Sequence, residues 1–233
     1  MSNTSVNSFA KKVNDLKAHI AKDGLLFYLN TKGYDFYIRL RLRMYGLSAL
    51  KSLSDSGITN SKFNDAHLNW PSSWYELKQG LKALPIPFSK INLLDFGCGN
   101  GNVLLYGMFK KFSKVTGVDL DEKALMRAEK NCSTLSGKGF STSFSLVHAD
   151  AATFQIPDNI NVIYLFNPFG EVTTQAVAEN IFQYVKKFKK PVYVIYFLPS
   201  YKTVFDQSDL CTTIFERNSL DNKNAEMTVY RVG

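Results

Sequence analysis

From residue 91 onward, short apolar runs alternate with segments of helical periodicity, and this alternation constrains the fold more than any other feature of the chain. It is the signature of a parallel sheet whose strands are joined by crossover helices. Strands are expected at INLLDF (91–96), KVTGVD (114–119), FSLVHA (144–149), NVIYLF (161–166) and PVYVIYF (191–197). Two later runs, TTIFER (212–217) and EMTVYRV (226–232), alternate apolar with polar residues as half-exposed strands do, and are expected to form an antiparallel pair at one edge. The pattern predicts an α/β fold with a mostly parallel seven-stranded sheet.

Between the strands, residues 121–135 open on the acidic pair Asp121 and Glu122 and place Ala124, Leu125, Ala128 and Leu135 on one helical face. Residues 171–188 repeat the logic with Val177, Ile181, Val185 and Phe188, and end in Lys186, Lys187, Lys189 and Lys190, where the helix dipole favours cations. Residues 1–90 read as an accessory segment, a cover or lid on a core spanning 91–233. Within it, Phe36, Ile38, Leu40, Leu42 and Met44 alternate strictly with Tyr37, Arg39, Arg41, Arg43 and Tyr45, a period of two that predicts a strand with one apolar and one basic aromatic face. Trp70, Pro71, Trp74, Tyr75, Pro85 and Pro87 then lead into the first core strand.

With 45% hydrophobic and 21% charged residues the composition is that of a globular protein, and no apolar run approaches the roughly 18 residues of a membrane span. The start, MSNTSVNSFAKK, lacks the apolar stretch of a secretory signal, so a cytoplasmic protein is expected. Cys98, Cys132 and Cys211 form no C-x-x-C pair, which fits free thiols better than disulfides or structural zinc. The net charge of +8 favours an anionic partner: a nucleic acid, a phosphorylated molecule or a membrane surface. Eight Lys and Arg stand before residue 50 against three acids, an excess that a solvated basic face also explains.

The first core strand runs into LLDFGCGNGNVLLYG, residues 93–107. Glycines at 97, 99 and 101 let the chain turn sharply and bring backbone N–H groups close to a ligand at the N-terminus of the following helix, although such a turn can also be purely structural. A dinucleotide fingerprint, G-x-G-x-x-G, would need a third glycine where Asn102 stands. The pattern D-x-G-x-G-x-G, with Asp95 two residues before Gly97, instead resembles motif I of the class I S-adenosylmethionine-dependent methyltransferases, over about residues 91–197. That resemblance implies a Rossmann-like fold with helices on both faces of the sheet, S-adenosyl-L-methionine as cofactor, and a glycine loop of Asp95, Gly97, Gly99 and Gly101 beneath its methionine and ribose portions.

Position adds to the resemblance. Asp119 ends the second strand 22 residues after Gly97, close to the offset of about 20 at which an acid reaches ribose hydroxyls. Asp119 could equally cap a helix, but Asp121 is the better cap. Asp150, after the third strand, stands where the family uses an acid to accept from the adenine amino group, or serves as a turn residue. After the fourth strand, Leu165-Phe166-Asn167-Pro168-Phe169-Gly170 is similar to the N-P-P-aromatic motif of amino-methylating members, without its second proline, and to a bacterial group with an FNPF motif. The resemblance implies that the Asn167 side chain and Pro168 carbonyl accept from the target nitrogen and that Phe169 packs over the target; an Asn-Pro turn is the plain alternative.

Methyl transfer from a sulfonium is an in-line displacement that needs positioning and desolvation more than a metal. An amine acceptor would arrive neutral, whereas a hydroxyl would profit from a base, for which His67, His148 and Glu171 are candidates; His19 falls in a helix. Cys98, between two glycines, fits there by its size. The expected function is methyl transfer to an N or O nucleophile of an acceptor that is small or a glycan sooner than protein or RNA. Two other classes stand beside it: a nucleic-acid-binding protein on the same fold, suggested by the basic aromatic segment, and a nicotinamide-dependent oxidoreductase, which lacks the third glycine.

Overall fold

The computed structural model describes residues 14–47, 72–167, 169–221 and 224–233. Its seven strands are β1 (Asn92–Phe96), β2 (Lys114–Asp119), β3 (Ser143–His148), β4 (Val162–Phe166), β5 (Val192–Phe197), β6 (Cys211–Asn218) and β7 (Ala225–Val232). They form one sheet in the order β3-β2-β1-β4-β5-β7-β6. β1 to β5 run parallel, and β7 is antiparallel to both β5 and β6. Each strand falls within a residue of its expected bounds.

Helices α1 (residues 14–23) and α2 (Leu25–Met44) precede α3 (Trp74–Lys82), and the sheet is interleaved with α4 (Asn102–Phe109), α5 (Glu122–Ser136), α6 (Glu171–Phe188) and α7 (Thr203–Asp206). Alternate residues of each central strand feed two cores. Leu93, Tyr164, Ile195 and Val229 pack towards α3, α4 and α5, while Leu94, Ile163, Val194 and Tyr230 pack towards α6 and α7. Both faces of β1, β4 and β5 are therefore dry, which is why they read as continuous apolar runs. Asp121 caps α5 as its sequence position suggests, its carboxylate accepting from the backbone of Lys123 and Ala124 at 2.9 and 3.2 Å.

The segment around residues 36–45 is helical, not a strand. In α2 only Ile38 and Leu42, four residues apart, are buried, while Phe36, Leu40 and Met44 face outward. The strict alternation misled because every second residue is apolar, yet the fold uses just the i, i+4 pair that one helical face can offer. Trp70, Pro71 and His67 lie outside the described residues.

The accessory helices are fastened to the far edge of the sheet by ions. Arg217 on β6 donates to Asp23 at 3.0 Å and to Glu76 on α3 at 3.2 Å, and its guanidinium lies 4.6 Å from the centre of the Phe27 ring. Beside it Lys22 pairs with the buried Glu226 at 2.9 Å. Gly80 lets α3 lie close to the sheet: a side chain there would start 2.8 Å from Met227 Sδ and 2.9 Å from Ile195 Cγ2.

Burial, opposed by Arg217 and aided by Asp23 and Glu226, pushes the Glu76 carboxyl up to about 7. The folded state therefore holds this proton more tightly than the unfolded chain. The resulting stability is complete below an ordinary carboxyl pKa of about 4.5 and is lost as pH rises through about 7. Glu76→Gln, which keeps an acceptor for Arg217, is expected to raise stability at pH 8 by about 2 kcal/mol and leave it nearly unchanged at pH 4, measured by denaturant melts at the two pH values.

Candidate active site

The glycine turn leaves β1 and is stitched to the end of β2. Gly97 and Cys98 donate their N–H groups to the Val118 carbonyl at 2.8 and 3.1 Å, and Gly99 donates to Asp119 Oδ2 at 2.7 Å. Gly97, Gly99 and Gly101 have φ of +76°, +51° and +81°, in the left-handed region that residues with a Cβ rarely adopt. Gly101 opens α4, and a side chain there would also begin 3.1 Å from Ala128 Cβ on α5. Asn131 of α5 donates to the Asn100 carbonyl at 3.1 Å, holding the turn from the other side.

Three side chains beneath the turn are shaped by burial. Asp95 is enclosed, and desolvation followed by the nearby Asp119 charge raises its carboxyl well above the usual range. Asp119 carries its second oxygen 2.8 Å from the Asp121 N–H; burial raises its pKa, and the two backbone donors pull it back. The buried Cys98 thiol is pushed far up, foremost by desolvation, so it stays protonated. Its sulfur fills the space over Gly117, where a Cβ would meet it at 2.6 Å, which accounts for a small residue at both positions.

Asn102, the residue standing in place of a third fingerprint glycine, has a role that sequence reasoning missed. Its amide donates to the Ser72 carbonyl at 2.6 Å, and its Oδ1 accepts from Trp74 Nε1 at 2.8 Å. Tyr164 on β4 donates to Ser72 Oγ at 3.0 Å. The start of α3 is thus tied at once to the glycine turn and to a central strand. A polar residue at the first position of an otherwise apolar helix was the available signal.

The remaining expected residues stand at the same, carboxyl end of the sheet but are not all poised alike. Asp150, exposed after β3, accepts from the Ala152 N–H at 2.9 Å, as a turn aspartate does. His148 ends β3, where Nε2 lies 3.0 Å from the Leu120 carbonyl. Asn167, directly after β4, has φ +36°, and its Oδ1 is buried with no hydrogen-bond partner among the described residues. Phe169 is half-buried and packs on the core under α6, while Phe166 meets Phe197 edge-on at 4.9 Å. Pro168 lies outside the described residues. Glu171 is exposed in the first turn of α6.

These residues surround the point where strand order reverses, between β1 with its neighbour β2 and β4 on the other side. Such a switch point opens a crevice at the carboxyl ends of the strands, where open α/β sheets take their ligands. Among the described residues no group of three His, Cys, Asp or Glu side chains could hold a metal ion, and no helix is long and apolar enough to cross a membrane.

Comparison with known proteins agrees with this geometry. Residues 93–191 match the family described as a methyltransferase domain. A methylase candidate from Haemophilus influenzae has a solved structure that superposes with a TM-score of 0.50 at 19% identity, covering 68% of this chain and 97% of that one. The methyltransferase domain of a bacterial Hen1 protein gives a TM-score of 0.50 at 17% identity, over 68% and 96%. At these identities the likeness is one of fold. An uncharacterised Haemophilus influenzae protein is 36% identical over 95 residues, which span 33% of this chain and about a third, 35%, of that relative's length. The fold is Rossmann-like, and the family match supports a methyltransferase domain in the sheet-bearing part of the chain.

Gly101→Ala is expected to destabilise the protein by about 1–3 kcal/mol, since the new methyl meets both a left-handed backbone and Ala128. Thermal melts would show it; Gly139→Ala, also at positive φ but with open space around it, is expected to cost only the backbone part.

Proposed function

We propose that the chain is an S-adenosyl-L-methionine-dependent methyltransferase that acts on an N or O nucleophile of a small molecule or glycan. The observation that carries the reading is the stitched glycine turn at the strand-order reversal, with the carboxylate of Asp119 beside it. The residues present fit the cofactor. Positive-φ glycines at 97 and 99 keep side chains out of the way of a ligand lying on the turn. A carboxylate offers about four acceptor sites, so Asp119 can take ribose hydroxyls while holding Gly99 and Asp121. Asp150, exposed at the neighbouring strand end, is the acceptor for the adenine amino group.

When bound, the cofactor supplies an electrophilic methyl group on a sulfonium. The chain's own part is to place the nucleophile and exclude water. Asn167 Oδ1, buried and without a donor among the described residues, is suited to accept a hydrogen bond from an incoming N–H and so to fix the direction of the nitrogen lone pair. The Phe169 ring is the further acceptor-side contact, and Pro168, between the two, lies outside the described residues. Cys98, a buried protonated thiol, serves packing and not nucleophilic chemistry. The Asn102 link to Ser72 and Trp74 speaks against a dinucleotide site, because a side chain committed to α3 stands where that fingerprint needs a glycine for close helix–strand packing.

Asp119→Ala is expected to weaken S-adenosylhomocysteine binding by about 1.5–3 kcal/mol, roughly 10- to 150-fold, in an isothermal titration. An unaltered affinity would remove Asp119 from the cofactor site. Asn167→Ala is expected to lower methyl-transfer turnover while leaving cofactor affinity within about twofold. The reverse pattern would move Asn167 from the acceptor to the cofactor.

A further inference from the structure

Helix α2 turns one face to the protein body and the opposite face to solvent. On the outer side Leu26, Leu29, Phe36, Leu40 and Met44 are 75, 56, 71, 52 and 75% exposed. With 3.6 residues per turn these five fall within about 80° of each other, diametrically opposite the buried Ile38. A continuous apolar stripe of this extent on a protein surface marks an interaction. The helices beneath it need none of these side chains, since α2 already packs through Ile38, Leu42 and its half-buried aromatics.

Charge says what the stripe meets. Lys32, Arg39 and Arg43 are exposed along one flank of it, and the single acid of α2, Asp35, is half-buried on the inner side between Lys32 and Arg39. We propose that this face of α2 docks on an anionic lipid surface, with Leu26, Leu29, Phe36, Leu40 and Met44 in the boundary between headgroups and acyl chains and Lys32, Arg39 and Arg43 against the headgroups. A second copy of the chain fits less well. Antiparallel pairing of the stripe sets the Lys32–Arg39 flank of one copy against the same flank of the other, and parallel pairing sets it against the opposite flank, which carries Arg41 and no acid. Nucleic acid would meet the basic flank but gain nothing from a row of Leu and Met. This docking is independent of the proposed activity.

The test is co-sedimentation of the full chain with vesicles of phosphatidylcholine alone and of phosphatidylcholine mixed with phosphatidylglycerol, at low and raised salt. Binding to the mixed vesicles is expected, weakened by salt and at least tenfold weaker on the neutral ones. Phe36→Ser with Leu40→Ser is expected to abolish it. Arg39→Gln with Arg43→Gln should reduce it more than tenfold on the mixed vesicles, about 1 kcal/mol for each charge. All four side chains are exposed, so an unchanged melting temperature verifies that the variants fold. Equal binding to both vesicles, or none to either, would overturn the proposal. So would a mass of two chains in sedimentation velocity that the two serine substitutions halve, which would make the stripe a dimer seam.

Discussion

The carboxyl end of β2 holds the turn that leaves β1, and the rest of the site depends on that contact. The Val118 carbonyl takes two N–H groups of the turn and the Asp119 carboxylate takes a third. Without those acceptors three left-handed residues in five would be an unstable loop, because each glycine gives up more freedom on ordering than any other residue. With them the turn is fixed against the sheet, α4 starts in a set direction, and the crevice between β1 and β4 acquires a floor of backbone. Asp119 thus serves the fold and the proposed ligand with one group, which explains why its carboxylate sits half-buried at a strand end instead of capping α5.

The second feature that shapes the crevice comes from outside the sheet. Ser72 and Trp74 reach the start of α4 through Asn102, and Tyr164 fixes Ser72 from β4. At the other end of α3, Glu76 shares Arg217 with Asp23, so the same nine-residue helix is anchored both to the glycine turn and to the antiparallel hairpin. Glu76 titrates near neutrality foremost because α3 buries it at that anchor, and the neighbouring Asp23 and Glu226 add to the shift against the pull of Arg217. The wall of the site is therefore coupled to the β6–β7 edge through α3.

The sheet was legible in the sequence because its strands are buried on both faces, and a short, continuous apolar run has few other uses. The turn and its two flanking acids were legible because glycine and aspartate have backbone and hydrogen-bonding properties that no other residue supplies at those positions. Residues 36–45 were not: a period of two in hydrophobicity is a prediction about two faces, and α2 buries only Ile38 and Leu42 while its outer apolar residues face solvent. Asn102, Ser72 and Trp74 were missed for a different reason. Their hydrogen bonds join residues about 30 positions apart: a polar residue opening the apolar α4 marks Asn102 as unusual, but nothing local says which residues it meets.

A turn built for S-adenosylmethionine beside Asp119 should take that cofactor's product and refuse a dinucleotide. Calorimetric titration of the purified chain with S-adenosylhomocysteine, with NADH as the parallel ligand, tests it most directly. Saturable one-to-one binding of S-adenosylhomocysteine is expected, with no heat of binding from NADH. Binding of NADH with none of S-adenosylhomocysteine would contradict it.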